Sequence, residues 1–297
     1  MKAVVTTGDP QAPTRIDEID VPVPGPGEVL VRVSAFGVNR GELTRAQRLA
    51  PGSRLGWDVL GTIEDDSSAQ VQPVLALADG NGWADVVAVH RSRVAVLPDP
   101  GESVDLAALP VAGLTALAAI RRAGPIIGKT VLVTGTSGGV GGVLAQLAAA
   151  AGADVLEVRN RLSGTELPVV DANSLAVTGR EVDVVFDSVG GTVLHAAFEL
   201  LKPHGALVST GNTVREPLHL PLDWGHRRPG VSLSYVHLFD ELGAAAPVAE
   251  DLRWLGARWA SGQLDPRVTR VEDRDGLDRT LAALREREFH GKAVIRW

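Results

Sequence analysis

The stretch Lys129-Thr-Val-Leu-Val-Thr-Gly-Thr-Ser-Gly-Gly-Val-Gly-Gly-Val-Leu-Ala-Gln-Leu-Ala restricts the folds open to this chain more than any other segment. Val131, Leu132 and Val133 read as a short buried strand. Gly135, Gly138 and Gly141 punctuate a turn, and Val140 to Ala151 reads as a helix that Gly152 can end. Strand, glycine turn and helix within one ~30-residue unit form the layout of a dinucleotide-binding site. Glycines let the backbone approach a pyrophosphate, and the helix start offers it unpaired N–H groups and a partial positive charge. The cofactor contacts expected here are Gly135, Ser137, Gly138, Gly139, Val140 and Gly141.

The next strand, Asp154-Val-Leu-Glu-Val, ends in Arg159-Asn160-Arg161 with no carboxylate at its tip. Arg159 follows the last glycine of the turn by about 18 positions, near where an NAD-binding fold places the acid that grips the ribose hydroxyls. An arginine there suits a 2′-phosphate, which it binds in a bidentate, charge-assisted way. The cofactor expected is therefore NADPH, held by Arg159, Asn160 and Arg161. In the competing reading both arginines are solvated surface charges and Glu157 serves the ribose of NADH.

Composition narrows the remaining classes. The 297 residues are 45% hydrophobic and 22% charged, with a formal net charge of −7, which fits a globular protein and leaves no cationic stripe for nucleic acid. The apolar run at the N-terminus is too short for a signal sequence, and no run reaches the ~18 apolar residues of a membrane span, so a cytoplasmic protein is expected. With no cysteine, the chain has no disulfide, thiolate nucleophile or thiolate metal ligand.

The first hundred residues alternate strand and turn, as in Glu28-Val-Leu-Val-Arg-Val-Ser-Ala-Phe after the Pro22-Val-Pro-Gly-Pro-Gly punctuation. From about Val104 helices alternate with strands. A helix over 106–122 precedes the nucleotide unit, followed by a strand over 182–186, a helix over 192–201 and a strand over 206–209. Such alternation predicts a doubly wound parallel sheet. Beyond Tyr235 a helix over 248–260, a strand over 267–271, a helix over 276–287 and a strand over 292–296 return the chain to the first region.

In their order, Gly27-Glu-Val-Leu-Val-Arg-Val, Gly37-Val-Asn-Arg, Gly56-Trp-Asp-Val-Leu-Gly, Ala107-Ala-Leu-Pro-Val-Ala-Gly-Leu-Thr-Ala, the glycine turn and Gly291-Lys-Ala-Val span the chain. This series resembles the medium-chain dehydrogenase/reductase superfamily, in its zinc-independent quinone oxidoreductase-like branch. The resemblance implies an α/β architecture: a GroES-like, β-rich catalytic domain from residues 1–105 and 240–297, and a Rossmann domain with a doubly wound parallel sheet from 106–239. It also implies NADPH as cofactor and a homodimer in which Val231-Ser-Leu-Ser-Tyr-Val extends the sheet across a two-fold. The segment 161–170 is shorter than is usual in that family.

Where zinc-dependent members hold their metal, this chain has Asn39 for the first cysteine, Trp57 for the histidine, and Pro110 or Val111 near the last thiolate. A catalytic zinc needs three protein ligands, so no metal is expected. Without a Lewis acid, a conjugated acceptor is the less demanding substrate, because charge delocalises into an enolate or quinol oxygen that needs only a donor or two. The implied activity is hydride transfer from NADPH to a quinone or α,β-unsaturated carbonyl. The rivals are a narrow-substrate enoyl reductase of secondary metabolism and an NADPH-binding protein without turnover. Membranes and nucleic acids are not expected partners.

The catalytic candidates are Asn39, Arg40, Trp57 and Asp58. Asn39 either bonds the nicotinamide ribose or substrate oxygen, or caps the turn before Gly41. Arg40, with Arg45 and Arg48, either steadies an enolate or carboxylate or is simply solvated. Trp57 either walls the substrate pocket or packs in the core. Asp58 reads as support for a basic group near the nicotinamide. The single tyrosine, Tyr235, lies outside this region, so a tyrosine proton donor is not expected. Thr115, Thr210, Gly211 and Asn212 match places where the family meets the cofactor, and Ser188 either approaches the adenosine or belongs to a simple turn.

Overall fold

The computed structural model describes residues 1–64, 71–97, 101, 103–159, 169–171, 175, 179–243 and 246–297. They divide into two compact units, Met1–Leu114 with Pro247–Trp297, and Thr115–Ala246. The residues in between, including Asn160 and Arg161, lie outside the described residues.

The first unit is a β structure drawn from both ends of the chain. Strands β1 (Lys2–Thr6) and β2 (Thr14–Glu18) form an antiparallel pair. A seven-stranded sheet contains β3 (Glu28–Val38), β4 (Asp58–Glu64), β5 (Val71–Leu77), β6 (Val86–His90) and β7 (Val94–Val96). It also holds β14 (Val268–Asp273) and β15 (Lys292–Arg296) from the far end of the chain. Antiparallel pairing of β15 with β3 sets Ala293 opposite Val38 and Arg296 opposite Ala35. Helix α1 (Arg40–Ala46) follows β3, while α7 (Val248–Ala260) and α8 (Leu277–Glu286) belong to the returning segment. The alternation in β3 buries Val31, Val33 and Ala35 while Arg32 and Ser34 face out. Val31, Phe36, Leu55, Val59, Trp83, Leu281 and Ile295 share one core, with Phe36 stacked on Trp83 at 5.2 Å between ring centres.

The second unit is a six-stranded, wholly parallel sheet. Its strands are β8 (Thr130–Thr134), β9 (Asp154–Arg159), β10 (Val169–Asp171), β11 (Val182–Asp187), β12 (Leu201–Ser209) and β13 (Ser232–Tyr235). The spatial order is β10-β9-β8-β11-β12-β13, so the winding reverses between β8 and β11. Ligands of doubly wound sheets bind outside the carboxyl ends of the strands at such a reversal. Helices α2 (Leu109–Ala123), α3 (Gly139–Ala150) and α4 (Gly191–Phe198) alternate with the strands; α2 begins in the first unit and ends in the second. The short helices α5 (Trp224–Arg227) and α6 (Leu238–Glu241) flank β13. Leu132, Leu156, Val185, Leu194, Phe198 and Leu207 make the core.

Three sequence expectations change. The helix expected over 192–201 stops at Phe198, and β12 begins at Leu201 instead of 206. Lys202 precedes Pro203, and a residue before proline is pushed from helical towards extended backbone. Strand β10 lacks a periodic signal of its own and takes its place by pairing with β9. The helical run Asp105–Ala123, a 3-10 turn continued by α2, is 19 residues long and apolar enough to cross a membrane. The expectation that no run reaches that length is therefore corrected. Leu106, Ala107, Leu109, Ala112, Leu114 and Ala116 are buried within the protein, as a core helix requires.

Candidate active site

In the second unit, β8 runs into a turn whose geometry demands glycine. Gly135 has φ 67°, a left-handed conformation that costs a side chain energy. A Cβ on Gly141 would lie 2.7 Å from the carbonyl carbon of Gly135 and 2.9 Å from the Thr134 oxygen. Gly138 is the N-cap residue of α3, and no side chain caps that helix. The first N–H groups of a helix have no partner within it. Ser137, Gly138, Gly139 and Val140 are half-buried around this helix start. A helix N-terminus without a side-chain cap, in a turn whose Gly135 and Gly141 leave no room for a Cβ, fits a pyrophosphate.

Adjacent strands bring further predicted residues to the same sheet end. Asp187, at the end of β11, accepts the Thr134 hydroxyl at 2.5 Å and the Gly190 N–H at 3.0 Å. Burial pushes its carboxyl up from its ordinary value, against the lowering effect of these hydrogen bonds. The Ser188 hydroxyl donates to the Thr134 carbonyl at 3.3 Å, and the Thr210 N–H to the Asp187 carbonyl at 2.7 Å. Asn212 donates from its side chain to the Glu216 carbonyl at 2.6 Å, and the Gly211 carbonyl accepts from Ser209 at 3.1 Å. The structure thus gathers Gly135, Ser188 and Thr210 at the ends of β8, β11 and β12. Thr115 is buried on α2, with no hydrogen bond to this turn among the described residues.

Arg159 ends β9, and its guanidinium is buried. It forms an ion pair with the fully buried Glu157 and donates from Nε to the Thr136 hydroxyl at 3.0 Å. Arg159 is therefore not a solvated surface charge, while Arg161, the other arginine of the competing reading, lies outside the described residues. The positive charge at the β9 tip is tied to the glycine turn through Thr136.

In the first unit, Asn39, the N-cap residue of α1, lies at the end of β3 and Asp58 at the start of β4. Asp58 is fully buried. A Cβ on Gly37 would stand 2.7 Å from Asp58 Oδ2, so glycine at that point of β3 admits the carboxylate. Asp58 Oδ2 accepts from Asn39 Nδ2 at 2.8 Å and from Lys292 Nζ at 3.0 Å, and Oδ1 accepts the Val111 N–H at 2.7 Å. Lys292 also donates to Asn39 Oδ1 at 2.5 Å and to the Val38 carbonyl at 3.3 Å.

Glu42 supports the same segment from below. Its oxygens accept the Asn39 N–H at 2.7 Å and the Trp57 N–H at 2.8 Å. Burial, reinforced by the Asp58 charge, pushes its carboxyl from 4.5 up to about 8. The Trp57 ring lies over Gly41, whose Cβ, if present, would be 2.9 Å from it. Arg40 opens α1 as an exposed residue, yet its guanidinium is partly desolvated, and this together with the Arg287 charge holds it below its ordinary value.

Asn39, Trp57 and Asp58 are therefore brought together with two residues that had been given no role, Glu42 and Lys292. Glu42 was signalled by its place three residues after a cap-forming Asn39. Lys292 stood within the Gly291-Lys-Ala-Val motif. Among the described residues no three histidine, aspartate or glutamate side chains meet to form a metal site.

A family model described as zinc-binding dehydrogenase matches residues 163–295. The chain is 29% identical to the quinone oxidoreductase of Thermus thermophilus, solved alone and in complex with NADPH; the likeness covers 100% of both chains with a TM-score of 0.86. It is 29% identical to a spectinabilin polyketide synthase system protein of Streptomyces orinoci, over 91% of this chain and 13% of that relative. It is 30% identical to prostaglandin reductase-3 of Bos taurus, over 71% of this chain and 63% of the relative. This chain thus spans less than two thirds of the length of either of these last two relatives.

Proposed function

We propose, because this chain belongs to the quinone oxidoreductase-like branch of the medium-chain dehydrogenase/reductase superfamily, that it transfers a hydride from NADPH to a quinone or an α,β-unsaturated carbonyl. The observation that carries this reading is the full-length likeness to the Thermus oxidoreductase, solved with NADPH, in a chain whose glycine turn has the bare helix start that a pyrophosphate needs. We assign the pyrophosphate to the backbone of Gly135, Ser137, Gly138, Gly139, Val140 and Gly141. Thr115, Ser188, Thr210, Gly211 and Asn212 hold the rest of the dinucleotide. Arg159, with Asn160 and Arg161 beside it in sequence, is assigned to the 2′-phosphate, which would share the Arg159 guanidinium with Glu157.

NADPH supplies the hydride when bound. The chain supplies orientation: α1 carries Asn39 and Arg40, and Trp57 stacks over Gly41 as the apolar wall of the substrate site. Neither an indole nor a side-chain amide is among the usual zinc ligands, and the Asn39 amide is hydrogen-bonded to Asp58 and Lys292. Stabilisation of a developing oxygen charge then falls to hydrogen-bond donors, which suits a conjugated acceptor better than an isolated ketone. Proton delivery is assigned to water. We place the protein in the cytoplasm as a homodimer joined along β13.

The test is oxidation of NADPH and NADH against benzoquinones, naphthoquinones, enones and saturated ketones, with and without chelator. Chelator-insensitive turnover of the conjugated acceptors with NADPH is expected, and equal turnover of saturated ketones would overturn the reading. A second reading draws on the similarity to the polyketide synthase protein over 91% of this chain: an enoyl reductase for one narrow intermediate. NADPH binding with no turnover of any simple acceptor would favour it, or a binding protein without chemistry.

A further inference from the structure

We propose that Lys292 is a positioning residue that fixes the amide of Asn39 so that it presents one N–H, and no acceptor, to an oxygen of the bound ligand. This deepens the proposed function and rests on it.

The inference follows from counting donors and acceptors. An ammonium group has three N–H donors and no acceptor. Those of Lys292 match three acceptors: Asp58 Oδ2 at 3.0 Å, Asn39 Oδ1 at 2.5 Å and the Val38 carbonyl at 3.3 Å. With all three donors matched in a buried side chain, it has no spare donor with which to meet a substrate. Its effect must pass through its neighbours.

Asn39 is where that effect emerges. The two ends of a side-chain amide are assigned from the groups they face. Here a lysine can only donate and an ionised aspartate can only accept, so Oδ1 must face Lys292 and Nδ2 must face Asp58. Flipping the amide would set an NH2 against an ammonium and an oxygen against a carboxylate, losing two charge-assisted hydrogen bonds at once. The Asp58–Lys292 pair is itself buried, and therefore fixed in place. Of the two hydrogens on Nδ2, one serves Asp58 at 2.8 Å, and the other has no protein acceptor among the described residues. Asn39 is half-buried. The polar atom it meets in a ligand is thus an acceptor oxygen, whether a carbonyl oxygen of the substrate or a ribose hydroxyl of the cofactor.

The experiment uses the full chain with two readouts, the NADPH dissociation constant from nicotinamide fluorescence and steady-state kinetics with the best conjugated acceptor. The variants are Asn39→Ala, Asn39→Asp, Lys292→Met and the combination of Lys292→Met with Asn39→Ala. Asn39→Asp is expected to lose as much as Asn39→Ala, about tenfold, because a carboxylate that accepts from Lys292, or takes up a proton to share with Asp58, has no outward donor. Lys292→Met should weaken the same readout, and the combined variant should lose no more than Asn39→Ala alone.

A fall in kcat with NADPH affinity unchanged identifies the oxygen as the substrate's; a rise in the NADPH dissociation constant identifies it as the cofactor's. Wild-type values in both readouts for Asn39→Asp would overturn the inference, as would losses that multiply in the combined variant. Should Lys292→Met fail to fold, Lys292→Met with Asp58→Asn removes both buried charges together and takes its place, while the comparison of Asn39→Asp with Asn39→Ala stands alone. Without any turnover, which would speak against the proposed function, no substrate oxygen is left to meet and only the cofactor's remains, so unchanged NADPH affinity in Asn39→Asp would then overturn the inference.

Discussion

Glu42 shows how a single side chain sets the local free energy. Its folded-state carboxyl lies at about 8 against 4.5 outside the fold, with burial as the first cause. A raised acid binds its proton more readily folded than unfolded, so its contribution to stability is full below the unfolded value and is lost as pH rises towards 8. Both oxygens accept backbone N–H groups, and the amide of a glutamine in its place would turn an NH2 against one of them. We expect Glu42→Gln to cost about 1–3 kcal/mol near pH 5.5. Because only the wild type carries the titration, the deficit should narrow between pH 5.5 and 8.5 in urea unfolding; a deficit constant across that range would contradict the burial argument. Arg159 is the second case. Removing one partner of a buried ion pair costs about 3–5 kcal/mol, so its role is better tested with Arg159→Gln and Glu157→Gln combined. NADPH binding should weaken about tenfold or more with NADH binding unchanged; an equal effect on both cofactors would remove the assignment to the 2′-phosphate.

At the scale of elements, the join between β8 and α3 is held by close backbone approach. Gly141→Ala would place a methyl group 2.7 Å from the Gly135 carbonyl carbon, where no flexible side chain can yield. The turn must open, at about 1–3 kcal/mol, and NADPH affinity should fall with the melting temperature. Unchanged affinity would mean that the dinucleotide does not use this turn. The same region was also the most legible. The helix expected from Val140 to Ala151 spans Gly139–Ala150, and α7 keeps the bounds read from its periodicity. Strand β10 was not legible, because three residues carry no period and its identity comes from pairing with β9. The apolar run through α2 was underestimated because Asp105, Arg121 and Arg122 sit at its ends, where they interrupt no buried face.

For the molecule as a whole, β13 is the exposed outer strand of the parallel sheet, with Leu233 and Tyr235 facing out. Unpaired edges invite pairing. If the proposed dimer forms there, Leu233→Lys with Tyr235→Lys should sediment as a monomer that still binds NADPH; a dimer that survives would move the interface elsewhere. The glycine turn, its strand and its helix were determined by the sequence, because their signals lie within one short segment and need no distant partner to be read. Asn39, Trp57 and Asp58 were legible as positions, yet not as a cluster. Lys292 reaches Asp58 across 234 residues and Asn39 across 253, through the insertion of β15 beside β3. Only the tertiary structure decided that the last strand would bring its lysine to a buried carboxylate, because burying that charge is favourable only where a second chain segment supplies the opposite one.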